Sequence, residues 1–423
     1  MGSGGREHAL AWQLARDGGV ELYAAPGNPG IAPLAQCLPI DATAISTLAS
    51  AAEQLHIDLT VVGPEAPLAA GLVDAFAARG LLAFGPTQRA SEVEASKVFA
   101  KNLMRRAGIP TAPFAAFDNP ADAAAFVRRR RRPVVVKADG LAAGKGVVVA
   151  RDTAEALGAI DALMVRRAYG DAGARVVIEE KLDGEEVSVL AFVHGAHVYP
   201  LLPARDFKRA ADGDAGPNTG GMGAVAPFPL PAGVMDQITA QILEPAAAAM
   251  AADGCPFVGV LYAGIMLTPT GPQVLEFNCR FGDPETQVIL PLLDVPLADV
   301  LFDVVHGREM VLRWVNQCAV CVVLASGGYP GQFRTGLPIS GLDAVPEDIM
   351  VFHAGTGVRG ADVVTAGGRV LNVVARGASI PQASDRAYAA IRGIHFDAMQ
   401  YRRDIGRSVA VTPGAPAIAG GGM

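Results

Sequence analysis

Glu276 and Asn278 stand two residues apart in the run LEFNCRFGDPETQ, Leu275 to Gln287, and Val274, Leu275 and Phe277 give it the apolar character of a buried strand. Alternation along a strand puts the carboxylate and the amide oxygen on one face. That donor pair suits a hard, oxygen-seeking cation, Mg2+ or Mn2+. Arg280 follows within reach of the same point, and Gly282, Asp283 and Pro284 break the strand and open a helix at Glu285. A cation, a guanidinium and a helix start that converge serve a substrate carrying phosphates or carboxylates.

Phosphate chemistry is also written into VVVKADGLAAGKGVVVA, where two strand-like runs flank a loop of small residues. Gly144, Lys145 and Gly146 at its tip let a backbone close over phosphates, while Lys137, inside the first strand, neutralises them from below. A lysine in an apolar strand needs an anionic partner. Because a strand rather than a helix follows the loop, it is neither a Walker loop nor a dinucleotide fingerprint. In VVIEEKLDGEE, Val176 to Glu186, the backbone around Glu180 to Leu182 can hydrogen-bond a planar base and Glu186 can take ribose hydroxyls. Residues Pro203 to Ala224 form a long, polar, glycine-rich connection carrying Asp206, Lys208, Arg209 and the run Asn218 to Gly223. A connection of that length inside a compact chain points to function.

These groups need rigid elements to hold them. Gly2 to Gly5 lead into an amphipathic helix, Arg6 to Arg16, and a glycine turn at a helix start is an anion site. Strand-like and helical runs then alternate from Val20 to Phe84, with helical runs at Ala44 to Leu55 and Pro67 to Arg79, the rhythm of a parallel, doubly wound sheet whose turns at Pro26 to Asn28 and Gly63 to Glu65 fall at its ligand-binding edge. Such a sheet ordinarily places a strand before the glycine turn; almost nothing precedes it here, so the first strand is expected to be missing. A helix from Ser91 to Arg106 carries Lys97. Five arginines from Arg128 to Arg132 end a helix, where cations offset its dipole, rather than marking a nucleic-acid surface. A strand at Val258 to Leu267 precedes the opening stretch. Beyond it, short strands at Cys318 to Ala325, Ile349 to His353, Asp362 to Thr365 and Arg369 to Ala375, with a helix at Pro381 to Arg392, read as a small α+β domain. The expected partition is 1–107, 108–312 with a lid at about 110–182, 313–410, and a flexible tail 411–423.

Composition sets the outer bounds. Half of the 423 residues are apolar, enough for large cores, and the balance of 35 basic against 42 acidic residues gives no general attraction to nucleic acid. The five cysteines are odd in number and only Cys318 and Cys321 are close, on opposite faces of a strand, which favours reduced thiols over disulfides or a metal pair. No apolar run approaches the roughly 18 residues of a membrane span. The expectation is a cytoplasmic monomer acting on small molecules.

With those motifs in place, the chain resembles the ATP-grasp ligases and, more closely, the glycinamide ribonucleotide synthetase family of purine biosynthesis. The resemblance runs from GGREHALAW through PGNPG, VGPEAPL, GPNTGGMGA and LYAGIML to ASGGYPG, FHAGT, GGRVLNV and YRRDIG. It implies an α/β multi-domain fold, with a Rossmann-like N-terminal domain, central ATP-grasp domains and a small α+β C-terminal domain. It further implies ATP-dependent ligation of glycine to 5-phosphoribosylamine through a glycyl phosphate, with Mg2+ or Mn2+ at Glu276 and Asn278. Lys97, Lys137, Glu179, Glu180, Leu182 and Glu186 match positions lining the ATP pocket, and Asp139 to Val147 match the lid over the phosphates. Gly4, Gly5, Arg6, Glu7, Gly27, Asn28, Gly63 and Glu65 match the turns facing phosphoribosylamine. Asp206, Lys208, Gly220, Gly221 and Arg280 match the region where glycine and the transferred phosphate meet, with Lys137, Arg280, Asp206 and Lys208 as the catalytic set. Two departures stand out: the family's Gln-Asp-His-Lys run reads Arg205-Asp206-Phe207-Lys208 here, and Val258 to Leu267 carries no acidic metal ligand. Two other readings stay open at this point, a bicarbonate-using ATP-grasp ligase and a nucleotide-binding protein without turnover.

Overall fold

The computed structural model describes residues 1–130, 132–142 and 146–407. Gly144 and Lys145 of the lid tip, and the tail expected at 411–423, lie outside the described residues. The N-terminal region is built from two short parallel pairs, Tyr23–Ala24 with Gln36–Cys37 and Thr60–Val61 with Ala83–Phe84. Between them lies Met1–Gly2. The Met1 ammonium donates to the Val61 carbonyl at 2.8 Å, and Gly2 N–H donates to the Ala25 carbonyl at 2.7 Å. Their carbonyls accept in turn from Gly63 N–H at 3.2 Å and Gly27 N–H at 3.1 Å. The central position expected to lack a strand is therefore held by Met1 and Gly2, which knit the pairs together. Below this stub an apolar cavity of about 150 Å³ is lined by Leu10, Leu14, Tyr23, Leu48, Leu59 and Phe76.

Two expected helices are interrupted, each for a local reason. Pro67 to Arg79 is split into Glu65–Ala69 and Leu72–Ala77, because Gly71 adopts φ +85°. Ser91 to Arg106 is split into Gln88–Ala95 and Lys97–Arg106 at Ser96, whose extended backbone (φ −134°, ψ 110°) makes it the cap of the second helix. Ser96 Oγ accepts from Phe99 N–H at 3.1 Å, and Asp139 Oδ1 accepts from Val98 N–H at 2.7 Å. The second helix thus starts at Lys97, tied to the lid.

Two antiparallel sheets form the centre. One has the order Phe114–Phe117, Val176–Glu180, Val134–Ala138, Val147–Val149. The other has the order His197–Pro200, Glu185–His194, Val258–Thr268, Gly271–Asn278. The first is backed by the helices Pro120–Arg129 and Thr153–Ile160, with Val127, Val136, Ala156, Ile160 and Ile178 buried between. Of the arginine run, Arg128 and Arg129 end the helix, while Arg130 and Arg132 reach Glu180 at 3.0 and 3.6 Å.

The polar connection from Pro203 to Ala224 is not a loop throughout. It contributes Arg205–Asp206 and Gly223–Ala226 to a five-stranded sheet completed by Cys318–Ala325, Arg369–Gly377 and Met350–His353. Gly223–Ala226 is buried along its whole length, so burial of this short apolar run outweighs the turn-forming character around it. A hairpin of Thr356–Arg359 with Asp362–Thr365 and the helix Ile380–Ile391 complete this part. The five cysteines are free thiols. No helix among the described residues is long and apolar enough to cross a membrane.

Candidate functional site

The strand carrying Glu276 and Asn278 contains a β-bulge: Gly264 faces Glu276 while Ile265 already faces Val274, so Leu275 is the extra residue. Regular alternation would put Val274 and Glu276 on the same face. The bulge shifts the phase, and Val274 and Phe277 are buried while Glu276 and Asn278 turn together to the other side. The Leu275 carbonyl, released from the ladder, accepts from Lys137 Nζ at 2.9 Å and joins the two central sheets.

Lys137 is 4% exposed and also pairs with Glu179 Oε1. The other oxygen of Glu179 lies 2.5 Å from Lys101 Nζ, which donates to Thr111 Oγ1 at 2.6 Å. Burial alone would raise the Glu179 carboxyl, yet the two lysines hold it below the ordinary range, while burial pushes Lys101 down to about 8. The sequence places Glu179 and Glu180 among the residues lining a nucleotide pocket. The structure instead buries the Glu179 side chain between two lysines and turns that of Glu180 to Arg130 and Arg132. A carboxylate in an apolar strand must be neutralised from within. Lys101 was missed, and its place four residues after Lys97 in one helix is the signal that could have found it.

Glu276 gathers positive charge. Burial would raise its carboxyl, but Lys208, Lys137, Lys97 and Arg280 hold it below the usual range. Lys208 Nζ lies 3.7 Å from Glu276 Oε1 and 2.5 Å from Glu186 Oε1. Although burial works against its charge, Glu186, Tyr262, Glu276 and Asp206 hold Lys208 well above its ordinary value. Burial pushes Lys97 down, and its ammonium approaches the Gly140 carbonyl at 3.4 Å. Among the described residues the Asn278 amide has no hydrogen-bond partner. An ionised carboxylate and a free amide oxygen side by side fit a hard cation completed by phosphate oxygens.

Asp206 borders this group. Burial, reinforced by Glu285, pushes its carboxyl well above the ordinary range, and its Oδ1 is buried without a partner among the described residues. Glu285 Oε1 accepts from Ser188 Oγ at 2.9 Å and Tyr262 OH at 3.0 Å. Gly221, at φ +111°, passes so close that an added Cβ would lie 2.6 Å from Asp206 Oδ1. Gly220 N–H donates to Tyr329 OH at 3.0 Å, and its carbonyl accepts from Arg369 Nη1 at 2.5 Å. Arg369 also binds Asp283 Oδ2 at 2.9 Å, so the C-terminal part reaches into the site. Glu285, Tyr262 and Arg369 each lie in motifs quoted above, but no spacing rule singles them out.

Arg280 is not a free clamp. It lies 2.9 Å from Glu94 Oε1 and 3.3 Å from Glu65 Oε2, and Glu94 Oε2 accepts from Cys279 N–H at 2.8 Å. Glu94 was not foreseen; burial raises its carboxyl. The first turns differ from expectation in the same way. Arg6 and Glu7 are buried and bonded to protein groups: Arg6 Nε donates to Glu7 Oε1 at 2.6 Å and Arg6 Nη1 to the Phe281 carbonyl at 3.1 Å. Glu7 Oε2 accepts from Gly4 N–H at 2.6 Å, and a side chain at Gly63 would overlap Glu7. Asn28 spends its amide on Ser3, Gly30, Ile31 and His353. These residues shape the edge of the sheet, along which Gly4, Gly5, Gly27, Gly63 and Glu65 also lie.

Three domain descriptions match the chain. Phosphoribosylglycinamide synthetase N domain covers residues 1–94, its ATP-grasp (A) domain 95–286 and its C domain 319–408. Phosphoribosylamine–glycine ligase of Halalkalibacterium halodurans is 48% identical over 408 residues, 96% of this chain and 95% of that protein. The chain belongs to the phosphoribosylglycinamide synthetase family. Its Synechocystis relative, of the same name, is 50% identical over 415 residues, 96% of this chain and 98% of that one. The crystal structure of phosphoribosylamine–glycine ligase from Thermotoga maritima superposes with a TM-score of 0.85 at 33% identity, covering 95% of this chain and 98% of that one. The biotin carboxylase domain of a Hydrogenobacter thermophilus carboxylase shares the ATP-grasp fold, with a TM-score of 0.71 at 15% identity over 95% of this chain and 90% of that one. As in other members of the phosphoribosylglycinamide synthetase family, the fold joins a Rossmann-like region to ATP-grasp sheets and a small α+β part.

Proposed function

We infer that this chain ligates glycine to 5-phosphoribosylamine with ATP, giving glycinamide ribonucleotide, ADP and phosphate in purine biosynthesis, as a cytoplasmic monomer. The convergence of Lys97, Lys137 and Lys208 on Glu276 beside Asn278 supports this reading most directly. Glu276 and Asn278 would hold Mg2+ or Mn2+, which when bound neutralises charge on the transferring phosphoryl group. Lys97 and Lys137 bind the ATP phosphates, and the lid with Gly144, Lys145 and Gly146 covers them. The backbone from Glu180 to Leu182 receives the base. Glu186 takes the ribose when it leaves Lys208.

Reaction proceeds in two steps. A carboxylate oxygen of glycine attacks the γ-phosphorus; the bond to the β–γ bridging oxygen breaks, leaving ADP and glycyl phosphate. The amine of phosphoribosylamine then attacks the acyl carbon, phosphate departs, and the nitrogen loses a proton. Lys208 and Arg280 orient the anions, with Arg280 held by Glu65 and Glu94 between the two substrate sides. Gly220 and Gly221 admit glycine closely. Asp206 Oδ1, raised in basicity by burial and Glu285, accepts the proton. The turns at Gly4, Gly5, Gly27, Gly63 and Glu65 face phosphoribosylamine. The lid keeps water from the acyl phosphate. Release of ADP that requires both glycine and phosphoribosylamine is the expected result with purified protein; release with bicarbonate in place of glycine would overturn the assignment.

A further inference from the structure

Along Arg205-Asp206-Phe207-Lys208 the side chains alternate, so Asp206 and Lys208 face the site while Arg205 and Phe207 face the C-terminal part. Phe207 is 1% exposed, and the guanidinium carbons of Arg205 and Arg402 each lie 5.1 Å from its ring centroid. Arg402, also 1% exposed, is locked in place by its own partners. Asp404 binds it through two oxygens at 2.8 and 2.6 Å, Asp214 Oδ1 at 2.6 Å, and the Arg209 carbonyl accepts at 3.2 Å. Asp214 also faces Arg205 at 3.5 Å, so one carboxylate ties the two guanidiniums together. The hairpin of Arg209–Ala211 with Ala215–Asn218 is stitched to the same segment through its turn: Arg403 N–H donates to Asp212 Oδ1 at 2.7 Å and Gly213 N–H to Asp404 Oδ2 at 2.9 Å. The backbone of Phe207 is pinned on both sides, its N–H to the Gly223 carbonyl and its carbonyl to Met222 N–H, each at 2.9 Å.

We propose that Arg402 and Phe207 form a latch by which the C-terminal part positions Asp206 and Lys208 for glycine. The proposal rests on the reading of Asp206 and Lys208 as substrate-side residues. Neither latch residue touches substrate; both are positioning residues. A guanidinium against an aromatic face, fixed by two carboxylates, resists sliding in the ring plane better than apolar packing does. An offset of about 1 Å at Lys208 would suffice to misalign the carboxylate attack.

The test is steady-state kinetics of R402M, F207L and the double variant, with thermal midpoints measured alongside. The expected result is a loss in kcat/KM for glycine on the order of 10- to 100-fold, with KM for ATP within about twofold of the parent. Because both residues act through one contact, the double variant should be no worse than the poorer single. A folded R402M with unchanged glycine kinetics overturns the proposal, as do additive effects or equal losses for ATP and glycine. Should R402M fail to fold, D214N at the half-exposed bridging carboxylate must give the same glycine-selective loss at smaller size, and its absence overturns the latch. D206N separates the two levels: if it leaves glycine kinetics intact, the reading of the site fails, whereas a D206N defect without an R402M defect sinks the latch alone.

Discussion

The N-terminal and central parts of the molecule hold their turns in opposite ways. Around Glu276 the strands are eight to eleven residues long, Glu185–His194 and Val258–Thr268 are paired on both flanks, and Lys101 and Lys137 form buried ion pairs with Glu179. At the N-terminal edge each named strand has two residues, and a cavity of about 150 Å³ opens under Met1. There the loops are fixed by side chains such as Glu7 and Asn28 that cap backbone groups. Long paired strands can hold a cation pair to fractions of an ångström, whereas a short-stranded edge must recruit its own polar residues as scaffold. At that edge the side chains of Glu7 and Asn28 therefore hold backbone groups in place.

Several changes would break this contrast or sharpen it. The largest effect is expected for E276Q, which keeps the shape but removes the charge on which three lysines converge; ADP formation should fall at least about 100-fold at saturating Mg2+. Next is K101M, which leaves Glu179 half-paired in the core. Breaking a buried pair should lower stability by about 3–5 kcal/mol in denaturant titration, against less than about 1 kcal/mol for removing the exposed Lys181–Asp183 pair.

An acid test reaches the seam between the N-terminal helix and the C-terminal sheet. His8 Nδ1 accepts from His353 N–H at 2.8 Å, and burial pushes the two rings down to about 3 and about 4. A base whose folded value is lowered binds fewer protons when folded, so stability is full above about pH 6.5 and declines as pH falls toward those values. His8 alone should account for about 2–3 kcal/mol of loss by pH 4.5, and H8F should remove that share of the slope in urea titrations at pH 7 and 4.5. The smallest effect is expected from A52L, whose added side chain would occupy part of the cavity between the two parallel pairs. A gain of about 2 kcal/mol in unfolding free energy is the expected outcome, and no gain would mean the edge is already as well held as the centre.

Much of the chemistry is legible in linear order. The alternation at Glu276 and Asn278, the lysine inside an apolar strand, and the glycine turns at helix starts each follow from local geometry, and family resemblance extends them over nearly the whole chain. Lys101, Glu94, Glu285 and Arg369 were not legible, since each acquires meaning from a partner 78 or more residues away, the shortest separation being that of Lys101 from Glu179. The interrupted helix at Ser96 shows the same limit, because its cap is completed by Asp139.

By itself the amino-acid order determined the element types, the placing of Glu276 and Asn278 on one strand face, the lysine inside an apolar strand and the family, because periodicity, glycine placement and residue chemistry act within a few neighbouring positions. Only the tertiary structure decided which charged groups remain available to a ligand. A carboxylate or guanidinium in a low-dielectric interior must be neutralised by whatever the fold brings beside it, and that neighbour is chosen by packing between distant segments. Arg280 held by Glu65 and Glu94, and Arg6 turned inward to Glu7 and Phe281, are the outcome of that selection.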